Sequence, residues 1–328
     1  MMVNQIDEIK AQVIDLRERI HTGELFDSLG PVSGKMLDDL EFNVSTPVTQ
    51  ISGKDELLLL ARVDQFNQHL AEQTVNELTE NDIKVLLAGL KQTNPQIRDQ
   101  GVFMALMQGI QQDAFSLVQE QMMVRELLKD EVLFSHINEP ENDGIFQRSF
   151  AIFLLALLIY SGRRKHIKLM NHDQWNELIE KIGIYIVLER DTRGYVADKG
   201  WAHAFTHLGN LLDEINVNNQ VDRADKIFLE TLLVERVKRV KTPLVMGEVE
   251  RIARYIVNLA KINDLYLQYI LRQLKQWRPE LMRQMQAENY DSWTQHYNQT
   301  HLLAAILLQK DLPPLLYEYL DEGRAFLI

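Results

Sequence analysis

The chain has 328 residues, of which 46% are hydrophobic and 25% charged, a composition typical of folded proteins that excludes a long disordered region. Acidic residues outnumber basic ones by 47 to 35, and the net charge of −12 disfavours nonspecific binding to nucleic acids or anionic membranes. The absence of cysteine excludes disulfides, thiolate nucleophiles and cysteine-ligated zinc.

Neither the first residues nor the longest apolar run carries a targeting or membrane signal. Residues 1–10 lack the basic and apolar regions of a signal peptide. The run from Phe150 to Tyr160 is shorter than the about 20 residues that span a bilayer, and it is typical of a buried helix. We therefore expect a cytoplasmic protein without a membrane partner.

The first eighty residues combine one clear helix with an irregular stretch. Apolar residues spaced three and four apart predict an amphipathic helix: Ile6, Ile9, Val13, Leu16 and Ile20. Residues 22–54 contain several glycines and prolines, which predict loops around a short helix near Met36 to Leu40. We predict that residues 1–80 form an N-terminal helical cap on a helical-repeat domain of residues 81–328, as two domains or as one continuous domain.

Helix-start signals recur from residue 95 onward at nearly constant distance. They are separated by 50, 53 and 50 residues and lie at Pro95, Ile145, Asp198 and Glu248. A second helix is predicted in each interval, at residues 115–128, 172–189, 222–238 and 264–276. Two helices in about 40 to 50 residues are typical of HEAT and armadillo-like solenoids. The predicted fold is all-α, a right-handed αα-superhelix of about five helical hairpins; the alternative is an irregular helical bundle.

The segment from residue 189 to residue 207 contains the densest collection of polar and aromatic side chains. The helix before it has an apolar stripe formed by Trp175, Ile179, Ile182 and Ile186. Glu189 is the next position on that stripe, so we expect its carboxylate to be partly buried and to need a cation or a proton. Arg193 and Arg148 are candidate partners. The carboxylate then forms a structural ion pair or has a raised pKa suited to acid–base chemistry.

The next helix is predicted to follow Asp198, with Trp201 facing the core and His203 and His207 one turn apart on a polar face. Two histidines at this spacing can share a metal ion, with Asp213 or Glu214 as a third ligand. The segment lacks the glutamate that follows the first histidine of a zincin helix. We therefore predict histidines that line a groove without a metal or cofactor, and we keep metal binding as the alternative.

A family resemblance points to the same residues. The motifs are Phe146-x-Arg148-Ser149-Phe150, Glu189-x-Asp191-x-Arg193-Gly194-Tyr195-Val196 and Lys199-Gly200-Trp201-Ala202-His203-x-x-x-His207. They resemble the bacterial family known as domain of unknown function 2785, over roughly residues 80–275. The resemblance implies an all-helical fold and no particular activity. The candidate functional cluster comprises Arg148, Glu189, Asp191, Arg193, Tyr195, Lys199, Trp201, His203, His207 and Asp213.

Two basic clusters, at residues 163–168 and 236–241, lie where helices are predicted to end. Cations at these positions complement the helix dipole and bind free carbonyls, and the alternative is contact with phosphate or nucleic acid.

The sequence is compatible with three functions. The first is a module that binds a protein, peptide or other ligand along a polar groove around Glu189 to Asp213. The second is a hydrolase, with or without a metal ion, that uses Arg148, Glu189, Asp191, Arg193, His203, His207 and Asp213. The third is nucleic-acid binding, which the net charge disfavours.

Overall fold

Helices account for almost all the regular structure in the computed structural model, which describes residues 2–40, 45–72, 78–284 and 288–324. The predicted all-α class is confirmed. Within the irregular segment predicted at residues 22–54, residues 41–44 lie outside the described residues.

The N-terminal half of the described chain contains eight α-helices and one π-helix. Their bounds are α1 Met2–His21, α2 Leu29–Asp38, α3 Lys54–Glu72, α4 Glu80–Ala88, the π-helix Gln96–Phe103, α5 Met104–Gln111, α6 Leu117–Leu127, α7 Asp130–Leu133 and α8 Gly144–Arg164. A short 3₁₀ helix, Gly89–Lys91, follows α4.

The C-terminal half adds seven α-helices and a pair of two-residue strands. Their bounds are α9 His172–Leu188, β1 Tyr195–Val196, β2 Gly200–Trp201, α10 Ala204–Asn216, α11 Arg223–Arg239, α12 Glu248–Ala260, α13 Asp264–Gln284, α14 Tyr290–Leu307 and α15 Pro314–Glu322. The four predicted second helices correspond to α6, α9, α11 and α13.

Helix α2 is longer than the short helix predicted near Met36 to Leu40, because its proline and glycines do not break it. Pro31 lies in the first turn, where the missing backbone N–H has no acceptor within the helix. At Gly34 a Cβ atom would collide with the Arg239 guanidinium. Here glycine permits two helices to approach closely.

Helix α8 is long and apolar enough, by length and composition, to cross a membrane, with a mean hydropathy of 1.6 over an 18-residue window. However, 78% of that window is buried within the fold. A single such helix is weak evidence for a membrane span, because core helices of soluble proteins have the same composition. The burial favours a core helix, as predicted for residues 150–160.

The chain divides into two compact units that are each assembled from separate segments. The first unit contains residues 1–41, 176–192 and 215–328, and the second contains residues 42–175 and 193–214. Helices α1 and α2 therefore belong to the first unit and α3 to the second. That residues 1–80 act as a cap stays a prediction.

In the first unit, α11 packs against α1, α2 and α14. Further along the chain, α12 packs against both α13 and α14, and α15 packs against α13 and α14. In the second unit, α4 packs between α3 and α6, and α8 packs against α5, α6 and α7. Each unit therefore has its own apolar core.

Candidate functional site

A short β-hairpin carries the aromatic residues of the candidate site in the second unit. Strand β1 pairs with β2 in antiparallel register, with Tyr195 opposite Trp201 and Val196 opposite Gly200. The backbone hydrogen bonding continues beyond the two strands: the N–H of Ala202 donates to the Gly194 carbonyl at 2.7 Å. These bonds fix the direction in which both aromatic side chains project.

The hairpin corrects the prediction that a helix follows Asp198. Asp198 and His203 have left-handed backbone conformations, with φ of 63° and 54°, and α10 begins only at Ala204. Trp201 therefore lies on a strand and is 43% exposed, whereas the helical interpretation placed it in the core. Asp and His are among the residues that tolerate positive φ, so this local geometry was not apparent from helical periodicity.

Gly200 allows the hairpin to pack closely against the start of the π-helix. Its φ is +79°, and a Cβ atom there would lie 2.8 Å from Pro95 Cβ and 3.0 Å from Asp99 Oδ2. Only glycine allows both the left-handed backbone and this close approach to the start of the π-helix.

Arg98 is fully buried and holds the hairpin from beneath. Its Nη2 donates to the Lys199 carbonyl at 2.6 Å, its Nη1 to the Gln92 carbonyl at 2.7 Å, and its Nε to Asp99 Oδ1 at 2.6 Å. The guanidinium carbon lies 4.1 Å from the centre of the Phe146 ring. Arg98 is not among the site residues predicted from the sequence, although it lies 50 residues before the buried Arg148.

Three predicted site residues bind loops of the second unit. Lys199 Nζ lies 2.8 Å from both carboxylate oxygens of Asp143. Arg193 Nη2 donates to the Asn142 carbonyl at 2.6 Å, and Arg148 Nη1 donates to the Ser135 carbonyl at 3.1 Å. These contacts give the three cations a positioning role.

A continuous ladder of rings leads from the hairpin into the core. In order, the ladder contains Tyr195, Trp201, His203, His207, Phe153 and Phe103. The Trp201 and His203 ring centres are 4.2 Å apart, and His207 stacks on Phe153 at 4.3 Å. Tyr195 is 54% exposed, whereas Phe103 is buried. The ladder thus couples the orientation of the exposed rings to the packed core.

His207 is buried, which corrects the prediction that both histidines lie on an open polar face. Its Nδ1 lies 3.1 Å from the Ser149 carbonyl and 3.1 Å from Ser149 Oγ, which itself donates to the Ala202 carbonyl. This network assigns the proton of the neutral ring to Nδ1. Burial, together with the neighbouring charges of His203 and Arg98, lowers the pKa of His207 to about 3, so the ring is neutral at pH 7.

His203 is half-buried and lies between Trp201 and His207. Burial lowers the pKa of His203 below its usual value. The ring centres of His203 and His207 are 6.1 Å apart in an edge-on arrangement. Of the two predicted third ligands, Asp213 is half-buried and lies nearly two turns beyond His207 on α10, and Glu214 accepts a hydrogen bond from Arg163.

Among the described residues, the one set of three His, Asp or Glu ligand atoms close enough to share a metal ion is elsewhere, in the first unit. It consists of His21, Asp222 and Asp225, with ligand atoms within 4.8 Å of one another. Asp225 already accepts hydrogen bonds from Arg17 Nε at 2.7 Å and Arg17 Nη2 at 2.9 Å. A metal ion would have to displace this arginine.

Two of the three predicted carboxylates, Glu189 and Asp191, belong to the first unit, whereas Asp213 and both histidines belong to the second. Glu189 is buried as predicted, at the end of a stripe whose four apolar members are also buried. Its Oε1 accepts the backbone N–H groups of Arg190 and Asp191, both at 3.0 Å. Asp191 is buried as well. Backbone N–H groups thus stabilise the negative charge of Glu189 near a helix end.

Comparison with known proteins identifies a family and no closer relative. No curated protein and no solved structure matches the chain. A family model described as a protein of unknown function, DUF2785, matches residues 133–308, which start and end later than the resemblance seen in the motifs. The matched region is more than half of the chain and contains the hairpin, both histidines, Arg148 and Glu189. The chain therefore belongs to the DUF2785 family of proteins of unknown function.

Proposed function

We propose that this protein binds a peptide segment of a protein partner through the exposed rings of Tyr195 and Trp201, bordered by His203. The observation that carries the proposal is an exposed tryptophan fixed in one orientation on a hairpin. Tryptophan and tyrosine provide large contact areas with few rotatable bonds, and they are enriched among the residues that dominate binding energy.

The support beneath the hairpin favours a preformed binding surface. Arg98 and Asp143 hold the backbone and side chain of Lys199, and Asn142 holds Arg193. A surface that is ordered before binding loses less conformational entropy when the partner arrives. We expect the partner to place an apolar or aromatic side chain against Trp201.

The basic clusters support a protein partner over a nucleic acid. Arg163 pairs with Glu214 at 3.0 Å, and Lys165 pairs with Glu120 at 2.8 Å. Arg239 pairs with Asp38 at 2.8 Å. Cations already neutralised in this way contribute little to phosphate binding.

The hydrolase alternative stays a prediction, and the histidine geometry favours it less than binding. The pKa of His207 is about 3, and its Nδ1 is engaged by Ser149, so this ring is a weak proton acceptor at pH 7. The hydrolase interpretation expects a His203→Ala variant to lose a measurable hydrolytic activity while keeping its melting temperature.

We also propose that the helices form a HEAT-like, right-handed solenoid. Within the first unit, consecutive helices pair (α12 with α13, α14 with α15) and alternate helices stack (α12 on α14, α13 on α15). Within the second unit, α4, α6 and α8 pack in succession. This pattern is typical of stacked helical hairpins. A crystal structure with an irregular or left-handed arrangement would contradict the proposal.

Peptide selection tests the proposed binding surface. A phage-displayed library of random dodecapeptides is selected on the wild-type protein, and binding is measured by fluorescence anisotropy. We expect Trp201→Ala to weaken the selected peptides by about tenfold or more. The matched control is Trp293→Ala, which removes a tryptophan of similar exposure, 41%, from the first unit.

Two outcomes overturn the proposal. One is a selection that yields no saturable binder to the wild-type protein. The other is a set of peptides that bind the Trp201→Ala variant as tightly as the wild type. Urea unfolding of both variants verifies folding, because replacing a half-exposed tryptophan is expected to cost about 1 kcal/mol or less.

A further inference from the structure

Arg236 lies on the core-facing side of α11 in the first unit. It shares the apolar stripe of Leu229, Leu232 and Val240, and only 5% of its surface is exposed. Among the described residues, its one hydrogen bond runs from Nε to the Ile186 carbonyl at 3.2 Å. A guanidinium carries five N–H donors, so the four on Nη1 and Nη2 have no protein acceptor in the described structure.

Cations and carboxylates both lie near Arg236. Burial, with the neighbouring cations Arg190 and Arg239, lowers the pKa of Arg236 to about 9, and Glu189 and Asp38 act in the opposite direction. Both carboxylates have other partners. Glu189 Oε1 accepts two backbone N–H groups, and Asp38 pairs with Arg239.

Arg17, another buried arginine of the same unit, has a hydrogen-bond acceptor for each of its donors. Arg17 donates to both carboxylate oxygens of Asp225, to Glu180 and to the backbone and side-chain oxygens of Asn176. Its charge is neutralised and its donors are used. Within the described residues Arg236 uses one of its five donors, and buried donors without acceptors are costly unless a ligand or water accepts from them.

We propose that Arg236 is the central residue of an oxyanion-binding site that accepts a phosphate, sulfate or carboxylate group of a small molecule. The Nη1 and Nη2 fork can donate two parallel hydrogen bonds to such a group. Because Arg236 is nearly inaccessible, only a small terminal group can reach it. The proposal rests on residues of the first unit alone and does not depend on the proposed peptide surface.

Inorganic phosphate is the probe for this site. The melting temperature is measured at pH near 7 with increasing phosphate, while sodium chloride keeps the ionic strength constant. We expect a saturable rise on the order of 5 °C for the wild type. Sulfate and acetate, titrated in the same way, distinguish a preference for tetrahedral oxyanions from one for carboxylates.

Substitutions assign the effect to Arg236. Arg236→Met is expected to abolish the phosphate-dependent rise, and Arg236→Lys to weaken phosphate binding about tenfold or more, because lysine loses the fork geometry. The matched control is Arg163→Gln, which removes a half-exposed arginine of the second unit and is expected to keep the full rise.

Isothermal titration of phosphate into the wild-type protein provides a measurement that does not depend on any variant folding. A saturable heat with a stoichiometry near one is expected. The proposal is overturned if no saturable heat is found, or if the folded Arg236→Met or Arg236→Lys variant binds phosphate as tightly as the wild type.

Discussion

Arg98 in the second unit and Arg236 in the first are both buried arginines, and they differ in what surrounds the guanidinium. Arg98 donates to two carbonyls and a carboxylate and lies over an aromatic ring. Arg236 donates one hydrogen bond within the described residues, and both cations and carboxylates lie near it. Burial alone therefore does not show whether an arginine stabilises the fold or binds a ligand. A satisfied guanidinium stabilises the fold, whereas an unsatisfied one is suited to bind an anion.

Removing Arg98 should have the largest effect on stability. Arg98→Met leaves the Asp99 carboxylate and the Gln92 and Lys199 carbonyls without their donor, so we expect a loss of about 3 to 5 kcal/mol in the free energy of unfolding. Urea denaturation measures this loss. The control is Arg163→Met, whose exposed pair with Glu214 is expected to contribute at most about 1 kcal/mol. Equal losses in the two variants would contradict the structural role of Arg98.

The pH dependence of the free energy of unfolding tests whether His207 is buried as a neutral ring. Its pKa is lowered from 6.5 to about 3 in the folded state, so between these values the unfolded state binds the proton more tightly. Stability should therefore fall as the pH decreases from 6.5, by up to about 1.4 kcal/mol per pH unit. We expect His207→Gln to lose this part of the slope in urea denaturation series. An unchanged slope would show that His207 is not buried in its neutral form.

A pair of glycine substitutions separates close packing from backbone strain. Gly200 and Gly23 have the same φ, +79°, but a Cβ atom would contact Pro95, Asp99 and Arg98 only at Gly200, and nothing at Gly23. We expect Gly200→Ala to cost about 2 kcal/mol and Gly23→Ala about 1 kcal/mol, measured by thermal or urea unfolding. Equal losses of unfolding free energy in the two variants would show that Gly200 is not closely packed against Pro95, Arg98 and Asp99.

The smallest effect is expected for Arg236→Met in chloride buffer without phosphate. Since Arg236 has few protein acceptors to leave unpaired, we expect a change within about 1 kcal/mol, in either direction. A small change at Arg236 together with a large loss of unfolding free energy at Arg98 would separate a ligand-binding arginine from a structural one. A loss as large as that of Arg98→Met would remove the distinction.

The candidate site could be predicted only in part, because helical periodicity gave the correct burial for some of its residues and not for others. Glu189 was correctly placed in the interior, because it continues a regular apolar stripe within one helix. Trp201 was placed wrongly, since Asp198 and His203 adopt left-handed conformations that turn the predicted helix into a hairpin. His207 was placed on a polar face although Phe153 and Ser149 enclose it. Such enclosure depends on residues some fifty positions away, which no local pattern contains.

By itself, the sequence determined the helical class, the positions of most helices, the burial of Glu189 and the family motif, because each depends on residues within a few turns of one another. Only the tertiary structure decided that Trp201 is exposed, that Arg98 is satisfied and that Arg236 is not. The physical reason is that hydrogen-bond partners and solvent access come from segments distant in the chain, and their arrangement is set by packing.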